Sequence, residues 1–325
     1  MSATSTPGAT ARHDGPAIRL GTRKSPMALF QSRQVAAMIE AACGRRCELV
    51  TVSTPGDASA GQLAQIGGTG VFVSSLRSSL LTGETDIAVH SLKDLPAVQP
   101  EGILLAAVPG RDDPRDALVA RDGVKLADLP AGARVGTGSP RRAAQLLMLR
   151  QDLRPVAIRG NAGTRIGRID SGEVGAVVLA YAGLARIGSL DAITQVFEVQ
   201  EMLPAPGQGA LAVECLASRQ DLAGLLALID DGVSRAAVTA ERAVLAGLEA
   251  GCSAPVGAYA AGTDTLRLHA VVAAPDGGKS LRGSAVGPAA EAERLGREVA
   301  ADLLQRGAGR YTAVSAGHLS TGNDS

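Results

Sequence analysis

The chain is expected to be an α/β protein built from two sheet domains, followed by a small α+β domain. Three observations predict this. Its short apolar runs, such as Asp86-Ile87-Ala88-Val89-His90 and Ala176–Ala180, are continuous rather than alternating, the pattern of strands covered on both faces. Helical patterns separate those runs. A unit of strand, glycine turn and helix start also occurs twice, as Arg19-Leu20-Gly21-Thr22-Arg23-Lys24-Ser25-Pro26 and as Arg134-Val135-Gly136-Thr137-Gly138-Ser139-Pro140-Arg141-Arg142.

In chain order, Ile18–Gly21 reads as a strand and Pro26–Ala42 as an amphipathic helix, with Ser25 as N-cap and Pro26 in the first helical position. A strand at Glu48–Val52, a long glycine-rich loop at Thr54–Gly70 and a helix at Val71–Leu81 follow. Asp86–His90 and Leu104–Val108 are further strands. After the charged link Arg111–Asp116, strands are expected near Ala117–Ala120, Arg134–Gly136, Val156–Arg159 and Ala176–Ala180, with helices at Pro140–Arg150, Ala162–Ser171 and Tyr181–Arg186. Leu203-Pro204-Ala205-Pro206-Gly207-Gln208-Gly209 is a rigid crossing, and the strand after it, Ala210–Cys215, is expected to return to the first sheet. Helices at Leu222–Leu228, Arg235–Leu248 and Glu291–Leu304, with strands at Val256–Ala260 and Leu266–Ala273, make up the remainder. The expected domains are 17–109 with 209–227, then 114–204, then 231–315, with tails at 1–16 and 316–325.

Composition narrows the function. Apolar residues make up 46% of 325 positions, enough for a core in each domain, but aromatics are only 2% and Trp is absent. Nucleic-acid binding by base stacking is therefore not expected. Net charge is zero, so any basic site must be local. No apolar stretch is long enough for a membrane span, and residues 1–16 read as a tail rather than a signal peptide. The four cysteines, Cys43, Cys47, Cys215 and Cys252, suit a reducing, cytoplasmic setting. Cys43 and Cys47 are too few for zinc, and no metal site is expected.

The repeated Ser-Pro corner carries chemistry. Free N–H groups and the helix dipole make a helix start mildly positive, suited to an anion. Arginines gather at the ends of the expected strands: Arg23, Arg141 and Arg142, Arg159, Arg165 and Arg186. A guanidinium fork matches a carboxylate or phosphate. Two such corners facing one cleft would suit a ligand with several negative groups. Asp94, in His90-Ser91-Leu92-Lys93-Asp94-Leu95-Pro96, reads equally as a turn cap and as a carboxylate that stabilises a cation or moves a proton. Lys93 beside it can pair with a substrate carboxylate, and His90 reads as a structural histidine. Spacing alone favours a small buried apolar residue at Cys252, with an exposed, reactive thiol as the alternative. The loop Gln65-Ile66-Gly67-Gly68-Thr69-Gly70 lacks a Walker ending and reads as a mobile lid.

His90–Pro96, Gly136–Arg142, Arg159-Gly160-Asn161-Ala162-Gly163-Thr164-Arg165, Pro206-Gly207-Gln208-Gly209-Ala210 and Glu249-Ala250-Gly251-Cys252, in this order, resemble the hydroxymethylbilane synthase (porphobilinogen deaminase) family. The likeness runs from about Ile18 to the C-terminal helix. It implies two α/β domains of the periplasmic-binding-protein type around a cleft and a third domain that carries the cysteine. It implies a dipyrromethane cofactor held by Cys252 through a thioether, and stepwise head-to-tail condensation of four porphobilinogen molecules with loss of ammonia. Asp94 then stabilises the azafulvenium cation. Arg23, Ser25, Lys93, Ser139, Arg141, Arg142, Arg159, Arg165 and Arg186 bind acetate and propionate groups. In the lid, Asp57 and Phe72 keep the family's residue types, while Gln65 and Thr69 replace two lysines. A monomeric, cytoplasmic transferase acting on a small molecule, with no nucleic-acid or membrane partner, is the expectation. A non-catalytic small-anion-binding protein is the alternative, and a nucleotide-binding enzyme a third reading that lacks a fingerprint.

Overall fold

The computed structural model describes residues 15–52, 70–251 and 254–312. Elements are numbered in chain order. The described residues fall into two compact units, one within Met1–His90, Gln99–Pro109 and Leu211–Asp231, the other within Ser91–Val98, Gly110–Ala210 and Gly232–Ser325.

Unit 1 holds β1 (Ile18–Thr22), α1 (Pro26–Cys43), β2 (Cys47–Thr51), α2 (Gly70–Leu81), β3 (Ile87–Ser91), β4 (Ile103–Ala107), and the later β10 (Leu211–Leu216) and α6 (Gln220–Leu226). Its sheet has the order β2-β1-β3-β10-β4. β1 pairs in parallel with β2 and β3, while β10 runs antiparallel to β4. The strand after the Leu203–Gly209 crossing thus does return to the first sheet. Burial of Leu20, Val35, Ile39, Ile87 and Val213 explains why these runs are apolar throughout. The Ser25 cap is real: its Oγ accepts from the Ala28 N–H at 3.3 Å, with Pro26 opening the helix and Gly44 closing it in the left-handed region.

Unit 2 begins its second sheet with β5 (Asp116–Ala120), followed by β6 (Arg134–Gly136), α3 (Pro140–Leu149), β7 (Arg154–Val156), α4 (Ala162–Asp170), β8 (Ala176–Ala180), α5 (Tyr181–Arg186) and β9 (Gln195–Val196). The order is β7-β6-β8-β5-β9. The two five-stranded sheets share one plan. In each, three strands of a βαβ series lie side by side, and a strand from outside that series (β10 in one, β5 in the other) separates the third from the edge strand. β5 is antiparallel to both neighbours, so the sheets are mixed rather than wholly parallel.

The rest of unit 2 is α7 (Gly232–Gly247), β11 (Val256–Ala261), β12 (Thr265–Ala273), β13 (Ser280–Pro288), α8 (Ala292–Gln305) and α9 (Gly309–Thr312). The three strands form an antiparallel sheet packed against α7 and α8. β13 was not expected, because glycine and serine interrupt its apolar pattern; a Cβ would lie 3.0 Å from Val299 of α8 at Gly283 and 2.8 Å from Leu295 of α8 at Gly287. β7 stops at Val156, the first residue of the expected Val156–Arg159, so Arg159 lies beyond the strand. Pro155, which has no N–H to give, is tolerated because β7 is an edge strand. Ser91–Val98, inside the range expected for the first domain, groups with unit 2, and unit 2 holds both the second α/β sheet and the C-terminal sheet.

Candidate active site

Asp116 opens a strand whose other members are all apolar, and it is fully buried. A buried carboxylate needs partners. Its Oδ2 accepts from Arg141 Nη1 at 2.7 Å; its Oδ1 accepts from Arg142 Nε at 3.0 Å, Arg142 Nη2 at 2.7 Å and Gln208 Nε2 at 2.8 Å. Both arginines come from the first turn of α3, capped by Ser139, whose Oγ accepts from the Arg142 N–H at 3.4 Å. Arg141 Nη1 also donates to the Leu203 carbonyl at 2.7 Å, and Arg142 Nη1 to the Val178 carbonyl at 3.2 Å. The sequence places these arginines among ligand-facing donors, yet both side chains turn inward to an internal anion. Burial pushes the Asp116 carboxyl up, but the two guanidiniums outweigh it and hold the group well below the usual carboxylate range.

Gln208 extends this cluster. Flanking glycines make its position possible: Gly207 and Gly209 have φ of 77° and 87°, and a Cβ on Gly209 would lie 2.5 Å from the Asp112 carbonyl oxygen. The buried Gln208 amide donates to Asp116 and, at 2.7 Å, to the Pro114 carbonyl, so its oxygen faces the cations. That oxygen accepts from Lys93 Nζ at 3.3 Å and Arg142 Nη2 at 3.4 Å. Burial first, then the Arg142 charge, bring the Lys93 ammonium down to about 8 from its ordinary 10.5.

Lys93 and Asp94 sit in a 3₁₀ turn, Leu92–Asp94, directly after β3. Among the described residues no hydrogen bond is made to the Asp94 carboxylate; Lys93 is its charged neighbour. Arg165 Nε donates to the Gly160 carbonyl at 2.9 Å, leaving its other N–H groups to spare, and burial and the like charge of Arg142 both lower its pKa. An ideal Cβ on Gly138 would lie 2.9 Å from the Ile158 carbonyl oxygen, so the bare glycine makes room for that carbonyl; Arg165 Nη2 would lie 3.8 Å away, at ordinary contact distance. Arg159 is exposed, in the turn before α4, which Asn161 caps by accepting from the Thr164 N–H at 2.8 Å. Arg186 is engaged by Asp112, Nε to Oδ2 at 3.0 Å, and by the Gly209 carbonyl at 3.0 Å. Unit 2 thus gathers Lys93, Asp94, Ser139, Arg141, Arg142, Arg165 and Arg186 around two chain segments. Arg23 and Ser25 occupy the matching corner of unit 1, between β1 and α1.

Cys252, Asp57, Gln65 and Thr69 lie outside the described residues, and Phe72 falls in the first turns of α2. His90 is buried, with Nε2 3.3 Å from Glu214 Oε2, a distance without the angle of a hydrogen bond. Glu214 is held by Arg77 (3.0 and 2.7 Å) and Gln99 (2.8 Å). Burial raises its carboxyl, but His90, Arg77 and Gln99 together bring it down to about 2. Among the described residues no cluster of His, Cys, Asp and Glu could hold a metal, and no helix is long and apolar enough to cross a membrane.

Asp116, Gln208, Glu241 and Arg242 are the working residues that sequence reasoning passed over. Asp116 was read as part of a charged link and Gln208 as part of a rigid crossing. Glu241 is fully buried in α7 and takes Arg111 in a bidentate pair at 2.7 and 3.0 Å. For Asp116, Glu241 and Arg242 the available signal is a charge beside an apolar run, which has to be paired when buried; the neutral Gln208 carries no such signal.

The family model described as porphobilinogen deaminase, dipyromethane cofactor binding domain, matches residues 18–224, and the model of the porphobilinogen deaminase C-terminal domain matches residues 235–305. A porphobilinogen deaminase of Thermobifida fusca is 57% identical over 310 residues, covering 92% of this chain and 96% of its own length. Porphobilinogen deaminase 1 of Streptomyces coelicolor is 55% identical over 306 residues, covering 90% and 96%. Among solved structures, the methionine binding protein MetQ aligns with a TM-score of 0.43 at 13% identity, over 66% of this chain and 88% of its own.

Proposed function

The chain belongs to the porphobilinogen deaminase family, and from that premise we propose how its residues divide the work. The function is hydroxymethylbilane synthesis, in which four porphobilinogen molecules are joined head to tail on a dipyrromethane cofactor with release of ammonia. Transferase chemistry, a cytoplasmic location and a monomeric state are the finer reading.

The donor set fits that cofactor. Two pyrrole rings bearing acetates and propionates make a polyanion. Unit 2 offers guanidinium N–H groups on Arg159 and Arg165 beyond those used within the protein, the Ser139 hydroxyl, and the Lys93 ammonium. Arg141 and Arg142 bring two positive charges against the one negative charge of Asp116, leaving an excess that favours carboxylates nearby. When bound, the cofactor supplies the nucleophilic pyrrole carbon to which the first substrate ring is joined.

Cys252 is the proposed attachment point, in the loop after α7. Arg159, Arg165, Arg186, Lys93 and Ser139, with Arg23 and Ser25 of unit 1, are the proposed carboxylate contacts. Asp94 is the proposed acid–base and electrostatic group. Among the described residues no donor bonds its carboxylate, which can face positive charge that develops as ammonia leaves and take the proton released when the new carbon–carbon bond forms. Asp57, Gln65, Thr69 and Phe72 are proposed as lid residues. The proposed domain division is that of the expected ranges.

The observation that carries the reading is the match of both family models along the chain, together with a carboxylate that accepts no hydrogen bond among the described residues and stands beside a surplus of cations. Intact mass after denaturation tests it. Protein from cells that make porphobilinogen is expected to keep the added mass of two pyrrole rings, and Cys252→Ala to lose it. An unmodified wild-type mass, with no ammonia released from porphobilinogen, would overturn the proposal and favour the anion-binding alternative.

A further inference from the structure

We propose that Arg242 is the positioning residue of the Lys93–Asp94 turn, aiming the Asp94 carboxylate from helix α7 rather than from the sheet out of which the turn grows. The inference rests on the reading of Asp94 as the group that acts on substrate. The starting observation is a mismatch of connectivity and packing. The turn links β3 to β4, both strands of the unit 1 sheet, yet Ser91–Val98 belongs to unit 2.

The buried Arg242 guanidinium accounts for the mismatch. Its Nη1 donates to the carbonyls of Leu92 at 3.4 Å and Leu95 at 3.2 Å, and its Nη2 to those of Pro96 at 2.6 Å and Ala97 at 3.2 Å. One planar fork thereby fixes four carbonyls within six residues. Leu92 is further held by its N–H, which donates to the Ala210 carbonyl at 3.0 Å. Leu92 and Leu95 bracket Lys93 and Asp94, so holding their carbonyls orients the backbone on both sides of Asp94. Among the described residues no hydrogen bond is made to the Asp94 carboxylate, which makes the backbone the means by which its direction is set. Arg242 lies on the helix that ends at Gly247, five residues before Cys252, so one element steers the carboxylate and leads into the proposed attachment loop.

A lysine at this position keeps the charge but is a single point that cannot span four carbonyls. The test uses holoenzyme, with rates normalised to the fraction of chains that carry the two-ring mass. Arg242→Lys is expected to lower kcat by roughly 10²-fold, the order that a misplaced reacting group costs. KM should stay within about threefold, since of the proposed carboxylate contacts Lys93 alone lies on this turn and the arginine and serine contacts are untouched. Amide exchange across 91–98, a readout independent of turnover, is expected to speed up. Arg242→Gln, which buries no unpaired charge, is the second variant and should show the same split. Val299→Ala, a cavity in α8 away from the turn, gives a stability-matched control expected to keep its kcat. Wild-type kcat and unchanged exchange at 91–98 in both Arg242 variants, beside an inactive Asp94→Asn, would overturn the proposal alone. Full activity in Asp94→Asn would overturn the reading of Asp94 and this proposal with it. A kcat loss in Val299→Ala equal to that in Arg242→Lys would reduce Arg242 to a general stabiliser, and so refute its positioning role.

Discussion

Replacing Asp116 with asparagine is expected to be among the most damaging single changes in unit 2 that alter no substrate contact. The carboxylate accepts four hydrogen bonds, three on Oδ1 and one on Oδ2, from Arg142, Gln208 and Arg141. Asparagine can keep its oxygen in the Oδ1 position, but its NH₂ then faces Arg141 Nη1, donor against donor. Arg141 would be left with the Leu203 carbonyl for its Nη1 and with an Nε that has no partner already. Removing one member of a buried ion pair typically costs about 3–5 kcal/mol. That is a large share of the roughly 5–15 kcal/mol that holds a folded protein together. At about 1.4 kcal/mol per tenfold, amides that exchange only when unit 2 opens should exchange roughly 10²- to 10³-fold faster. Native-state hydrogen exchange at the β5–β8 ladder, Ala117–Ala120 against Ala176–Leu179, reads this directly. Adding Arg141→Met to Asp116→Asn should return part of the loss, because it removes the stranded charge. Less than a tenfold acceleration in Asp116→Asn would refute the reasoning, since the carboxylate would then not be what neutralises the two arginines.

Four further outcomes follow from the structure. Lys93 has its pKa lowered to about 8, so kcat/KM should fall above about pH 8 as the ammonium is lost, and Lys93→Arg should shift that limb upward; an unchanged limb would remove Lys93 from substrate binding. Because the folded state sheds this proton before the unfolded chain does, the group's contribution to stability should rise between about pH 8 and 10.5. Glu214, lowered to about 2 from 4.5, contributes about 3 kcal/mol that is fully present above pH 4.5 and lost as pH falls through 2, so urea midpoints of the wild type should drop over this window more steeply than those of Glu214→Gln. Gly138→Ala sets a methyl 2.9 Å from the Ile158 carbonyl and close to Arg165; a loss of about 1–3 kcal/mol and a raised KM are expected in unfolding and steady-state assays.

Much of the fold was legible because most buried strands are apolar along most of their length and several helix starts carry their own punctuation. Ser25-Pro26 and Ser139-Pro140 marked two helix starts to the residue, and Ala176–Ala180 and Tyr181–Arg186 coincide with β8 and α5. β13 was hidden because two of its four inward positions, Gly283 and Gly287, are glycines that let α8 approach, so packing rather than an apolar run makes it a strand. The site was legible as a set of residue types, but not in its wiring. Nothing in the spacing of Arg141 and Arg142 says that a carboxylate twenty-five residues earlier will absorb their forks. Nor does a glutamine between two glycines announce that it joins that carboxylate to Lys93. Such pairings are set by which strands become neighbours, and strand order is a property of the whole chain.

The inserted strand of the unit 1 sheet also governs the order in which that sheet can be made. β3 and β4 are complete once residue 107 has been synthesised, but the strand that lies between them, β10, emerges more than a hundred residues later. Until then a ribosome-bound chain holds two strand edges with unpaired N–H and C=O groups, a template for mispairing with any other extended segment. Nascent chains halted between residues 110 and 210 should therefore bind holdase chaperones, and release from them should coincide with emergence of Leu211–Leu216 from the exit tunnel.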